Sequence, residues 1–225
     1  MNNNMTMEIK EINIRINDGI NLKGNLNIPD TPEALVIFSH GSGSSRFSPR
    51  NNFVAEILNK HNIVTLLIDL LTEDEDDDYD NRFDIDLLTE RLVKVTNYIT
   101  QIPQLKELKV GYFGASTGAA SAIKAAAQLK NKIQAVVSRG GRPDLAGDSL
   151  LNIEAPVLLL AGSLDTYVIK LNNQAYNQIK GDKSIKIIDG ASHLFEEPGK
   201  LNEVAQYAVN WFEKQLVFSS QLSKM

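Results

Sequence analysis

The chain has 225 residues, 43% hydrophobic and 23% charged, which suits a single domain with a core that needs no covalent staple. It has no cysteine, which excludes disulfides, thiolate metal sites and a cysteine nucleophile. A formal net charge of −5 argues against nonspecific nucleic-acid binding.

Taken in chain order, Glu8–Ile16 and Asn21–Ile28 read as a hairpin of edge-type strands around the turn signal Asn17-Asp18-Gly19. Ala34-Leu35-Val36-Ile37-Phe38 is continuously apolar, as in a strand buried on both faces. It runs into Ser39-His40-Gly41-Ser42-Gly43-Ser44-Ser45. Ser48-Pro49 then marks a capped helix start, with Phe53, Val54, Ile57 and Leu58 as the inner stripe. Ile63–Asp69 is the next buried strand. Seven acidic residues follow between Thr72 and Asp80, and like-charge density of that kind predicts a solvated, poorly ordered loop.

Ile85, Leu88, Leu92, Val95, Ile99 and Ile102 recur at three- and four-residue spacing, a long amphipathic helix. Val110-Gly111-Tyr112-Phe113 then reads as a buried strand, and the alanine-rich run after Gly118 as a helix packed close to a sheet. Ala135–Val137, Val157–Ala161 and Ile185–Ile188 are further strands. A helix contains Leu171–Ile179, and a last one carries Leu201, Val204, Ala205, Ala208, Trp211, Phe212 and Leu216 on one face. Strands alternating with helices predict an α/β fold: a mostly parallel sheet covered on both faces, with the initial hairpin at one edge. No repeat or linker divides the chain, so residues 1–225 are expected to form one domain. The N-terminus lacks the apolar stretch of a secretory signal, and the apolar runs near Leu66 and Leu158 are too short for a bilayer, so a cytoplasmic location without membrane contact is expected.

Chemistry concentrates where strands end. Gly114-Ala115-Ser116-Thr117-Gly118 is a G-x-S-x-G pattern between a strand and a helix. A serine on so sharp a turn needs small residues two positions away on either side, and glycine fills both places. Asp165 follows the Val157–Ala161 strand, and His193 follows the last strand. In a parallel sheet those loops share one edge, so Ser116, Asp165 and His193 can meet. A serine hydroxyl is a weak nucleophile at neutral pH. His193 would take its proton, and Asp165 would orient the imidazole. The N–H groups of Thr117 and Ser42 are the candidate oxyanion donors. His61 precedes a strand and lies at the wrong edge. His40 is read as a hydrogen-bonder within its own loop, and Asp144 as the weaker candidate for the acid.

The motifs His40-Gly41-Ser42-Gly43-Ser44-Ser45, Gly114-Ala115-Ser116-Thr117-Gly118, Gly162-Ser163-Leu164-Asp165 and Gly190-Ala191-Ser192-His193 resemble those of the α/β-hydrolase superfamily. The compact length is similar to its dienelactone hydrolase family. The resemblance implies about eight strands with the second antiparallel and a triad of Ser116, Asp165 and His193. No insertion after the Ala135–Val137 strand is long enough for a large lid, and the segment Asp144–Glu154 is expected to cover the site only in part. It departs in the nucleophile, since dienelactone hydrolase itself uses cysteine. The expected activity is therefore a serine hydrolase acting on a small ester or related acyl bond. Two other readings stay open: a ligand-binding protein on the same fold, and an acyltransferase or peptidase using the same triad. No metal-ligand spacing is present and no cofactor is expected. Arg46, Arg50, Arg139 and Arg142 follow strands at the same edge and are candidates for holding an anionic group of the substrate.

Overall fold

A computed structural model describes residues 7–17 and 19–218; the hairpin turn residue Asp18 lies outside the described residues. Two long strands, β1 (Met7–Asn17) and β2 (Ile20–Pro29), pair antiparallel. Then come β3 (Ala34–Ser39), helix α1 (Pro49–Lys60) and β4 (Ile63–Ile68). The acidic stretch forms a short helix α2 (Glu73–Asp76) and a 3₁₀ turn (Tyr79–Phe83). Helix α3 (Ile85–Ile99), β5 (Lys109–Ala115), α4 (Thr117–Leu129) and β6 (Ile133–Arg139) follow. After a 3₁₀ turn (Pro143–Ala146) come α5 (Ser149–Asn152), β7 (Val157–Gly162), α6 (Thr166–Gln178), β8 (Lys183–Ile188) and α7 (Lys200–Phe212).

The eight strands form one sheet in the order β1-β2-β4-β3-β5-β6-β7-β8. From β3 to β8 every neighbouring pair is parallel, and β2 meets β4 antiparallel. The period of two along each strand divides the core into two layers. Leu35, Ile37, Val110 and Tyr112 face the layer under α3 and α4, with Leu88, Leu92, Val95 and Ile123. Val36, Phe38 and Phe113 face the layer under α1 and α7, with Val54, Leu58, Val204 and Phe212. Both faces of the central strands are therefore covered, which is why they read as unbroken apolar runs.

The acidic stretch corrects the expectation of a disordered loop. Thr72 and Glu75 close a capping box, each side chain taking the other's backbone N–H at 3.2 and 3.0 Å. Three cations then offset the like charges. Lys23 bonds Glu73 at 3.0 Å, Arg91 bonds Glu75 at 2.5 Å, and Arg82 forks onto Asp76 at 3.0 Å. The C-terminal helix also differs from expectation. It ends at Phe212 and widens into a π segment over Glu213–Phe218, which keeps both Leu216 and Val217 buried.

Candidate active site

The β3, β5, β6, β7 and β8 carboxyl ends bring five loops to one edge of the sheet. Between β5 and α4 the chain turns on Ser116, held at φ +51° and ψ −123°. That is a costly conformation for a residue with a Cβ, and the surroundings fix it. The Ser116 N–H donates to Arg139 O at 3.2 Å, and its carbonyl accepts from Ala119 at 3.1 Å and Arg142 at 3.0 Å. The flanking glycines are steric necessities. A Cβ on Gly118 would sit 2.2 Å from Ser39 O, and one on Gly114 would sit 2.5 Å from Ala119 Cα.

Asp165 is the N-cap of α6, and its carboxylate serves two partners. Oδ1 accepts from Val168 N–H at 3.3 Å, while Oδ2 bonds His193 Nδ1 at 2.7 Å. The cap fixes the carboxylate's direction, and the second oxygen fixes the imidazole. The loops that carry them are laced together: Leu164 N–H donates to Ala191 O at 2.9 Å, and Gly190 N–H to Ser163 Oγ at 2.7 Å. Below His193, Phe195 is buried and plugs its loop into the core. Glu197 accepts from Ser192 N–H at 3.0 Å, and hydrogen bonds from the Ser192 hydroxyl and N–H hold its carboxyl below the usual range. Ser116 and His193 both line a cavity of about 250 Å³. Nothing from the Asp144–Glu154 stretch lines it; that stretch packs instead on α4 through Ala146 and Leu150.

The other candidates sort themselves by their contacts. Both ring nitrogens of His40 are engaged, Nδ1 with Gly41 O at 3.0 Å and Nε2 with Leu70 N–H at 3.3 Å. A donor at Leu70 makes Nε2 the acceptor, so Nδ1 carries the proton. His61 pairs with Glu213 at 2.8 Å on the far side. Asp144 is held by a two-point fork from Arg142, with contacts of 2.9 and 2.8 Å, and Asp165 takes the histidine instead. Thr117 opens α4, so its N–H is one of those a helix leaves without an internal partner. The Ser42 N–H departs from expectation: it donates to Thr117 Oγ1 at 2.9 Å rather than standing open beside Ser116.

The four arginines divide in two. Arg46 is bound to Asp69 through both its backbone N–H and its guanidinium, with Glu11 3.6 Å away, and Arg142 is bound to Asp144. These two fix loops. Arg50 and Arg139 line the cavity beside Ser116. Sequence reasoning missed Asn51, which is buried against the same cavity with an unpartnered Oδ1. The signal for it was its place three residues after the helix cap Ser48. Among the described residues no group of three or more His, Asp or Glu side chains is arranged to hold a metal ion, and no helix is long and apolar enough to cross a membrane.

The model of the dienelactone hydrolase family matches residues 28–222. The chain belongs to that family. A dienelactone hydrolase from Anabaena variabilis has a crystal structure that superposes with a TM-score of 0.90 at 49% identity, covering 93% of this chain and 99% of that one. Est1E from Butyrivibrio proteoclasticus shares the fold at a TM-score of 0.78 and 19% identity, covering 91% of this chain and 98% of the other. Two Mycobacterium tuberculosis proteins, named provisionally as phosphoribosyl transferases, are 51% identical over 189 residues. That match takes in 84% of this chain and 43% of each relative, so the chain spans less than half their length. By family and by fold the chain is an α/β-hydrolase.

Proposed function

We propose that the protein is a serine hydrolase that cleaves an ester or related acyl bond of a small molecule through an acyl-enzyme on Ser116. The observation that carries this reading is the His193–Asp165 bond at 2.7 Å, with His193 and the strained Ser116 facing one cavity. In the first half-reaction Ser116 Oγ attacks the carbonyl carbon while His193 Nε2 takes the hydroxyl proton. The C–O bond to the leaving group breaks, and the imidazolium returns that proton to the departing alcohol. Water repeats the sequence on the acyl-enzyme and frees Ser116. Asp165 stabilises the imidazolium. Thr117 N–H meets the developing oxyanion, and the substrate oxygen competes with Thr117 Oγ1 for the Ser42 N–H.

The name of the mycobacterial relatives points to a different chemistry. We take it to describe the part of those proteins outside the match, because the residues here suit acyl transfer. The test is Ser116→Ala assayed on a small activated ester such as p-nitrophenyl acetate. The change removes one hydroxyl, so the fold should stand and turnover should vanish. Wild-type turnover by the pure variant would overturn the reading.

A further inference from the structure

Beside Ser116 the cavity wall is polar and carries one sign of charge. Ser42, Ser44, Ser48, Asn51, Arg50 and Arg139 contribute to it, and no acidic residue does among those described. Arg139 is the anomaly. It is only 6% exposed, its Nε is buried without a partner, and no carboxylate pairs with it among the described residues. Its neighbours are the Phe195 ring, 5.9 Å from the guanidinium carbon, and Arg50. Burial, with the Arg50 charge nearby, lowers the Arg139 pKa to about 10, so it is still a cation at neutral pH. A buried cation set against a second cation is costly unless an anion completes it. Arg50 does not supply one. Its Nε is also buried and unpartnered, and its Nη1 reaches only the exposed Glu196 at 3.1 Å.

The same wall holds the N-terminus of α1, a helix of 12 residues with no acidic residue in its first turn. Its positive end adds to the field of the two guanidinium groups. We propose that Arg50 and Arg139 bind a dianionic phosphoryl group of the substrate, so that the acyl bond cleaved at Ser116 belongs to a phosphorylated molecule. A carboxylate has oxygens for one fork only; a phosphate monoester carries close to two charges and enough oxygens for both forks. The placing of the scissile bond rests on the reading of Ser116 as nucleophile, whereas the binding itself does not.

Binding is therefore measured in the full chain carrying Ser116→Ala, by calorimetry with phenyl phosphate and with benzoate, which differ in the anionic head. Phenyl phosphate should bind at least ~10-fold more tightly than benzoate, about 1.4 kcal/mol. Adding Arg139→Met or Arg50→Met should each weaken phenyl phosphate by at least ~10-fold. Arg50, partly exposed, keeps the test usable if the buried substitution does not fold. Arg139→Lys should recover only part of the affinity, because it restores charge without the fork. Equal affinity for the two ligands would make this a carboxylate site and overturn the proposal. So would phenyl phosphate binding that is absent, or indifferent to both arginines. Failure of the hydrolase reading shows up separately, as neutral-ester turnover that survives Ser116→Ala.

Discussion

Asp165 carries two loads that can be separated by substitution. Its Oδ2 faces His193 Nδ1 at 2.7 Å, and its Oδ1 caps α6 through Val168 N–H at 3.3 Å. In Asp165→Asn the amide oxygen still caps the helix, but the charge opposite the imidazolium is gone. With charge centres about 4 Å apart and an effective dielectric of ~20, suited to side chains that are 17% and 39% exposed, that charge is worth about 4 kcal/mol. In kcat this is roughly a 10³-fold loss. Asp165→Ala should lose as much activity and also the cap, costing about 1 kcal/mol and shifting Tm by about 2–4 °C. The assay is kcat on p-nitrophenyl acetate beside thermal unfolding of the wild type and both variants. If Asp165→Asn kept more than about a tenth of wild-type kcat, the imidazolium would not be held by Asp165 and the mechanism would need another acid. If Asp165→Ala unfolded at the temperature of Asp165→Asn, the capping argument would fail.

Gly118→Ala places a Cβ 2.2 Å from Ser39 O and 2.4 Å from His40 O, both backbone atoms, so it should destabilise by about 3 kcal/mol or fail to fold; chemical denaturation measures this. Arg46→Met leaves Asp69 without its cation in a half-buried site and should cost about 3 kcal/mol, while the ratio of kcat/KM on anionic and neutral esters stays unchanged. Thr117→Val removes the acceptor that occupies the Ser42 N–H, so KM for a neutral ester should fall or hold rather than rise; a rise of tenfold would show that the hydroxyl assists binding. Glu197 has a folded-state pKa below its unfolded value, so its contribution is present above about pH 4.3 and is lost as pH falls through the lowered value. The stability difference between wild type and Glu197→Gln should therefore be constant above about pH 5 and shrink in more acid solution, as read by denaturant titration at each pH.

The sharp turn at Ser116 was legible because its constraint is local. Two glycines flanking a serine, with a strand before and a helix after, satisfy a steric demand that can be stated without coordinates, and the clashes at Gly114 and Gly118 are that demand in distances. Strand ends placed His193 and left Asp144 and Asp165 as the possible acids, since parallel strands deliver their loops to one edge; the choice of Asp165 came from the Ser, Asp, His chain order that the α/β-hydrolase resemblance implies. The arginines were not separable in this way. Arg46 and Arg142 are turned aside by Asp69 and Asp144, and whether an arginine meets an acid or a cavity depends on loop packing that pattern reading does not reach. The acidic stretch misled for a similar reason. Its like charges imply repulsion, but Lys23, Arg82 and Arg91 answer them, two of these from elements elsewhere in the chain. One cue was present in Thr72 and Glu75, the spacing of a capping box. The Ser42 N–H found its acceptor on Thr117, 75 positions away, a contact that no local pattern announces.

The central claim is that Ser116 becomes covalently acylated, and a fluorophosphonate probe tests it in one step. The probe reacts with an activated serine and forms a stable adduct, which mass spectrometry of the digested protein can place. The account predicts a single adduct on the peptide containing Ser116, abolished by Ser116→Ala and slowed about 10³-fold by Asp165→Asn. An unlabelled protein, or an adduct on a different serine that persists in Ser116→Ala, would contradict it.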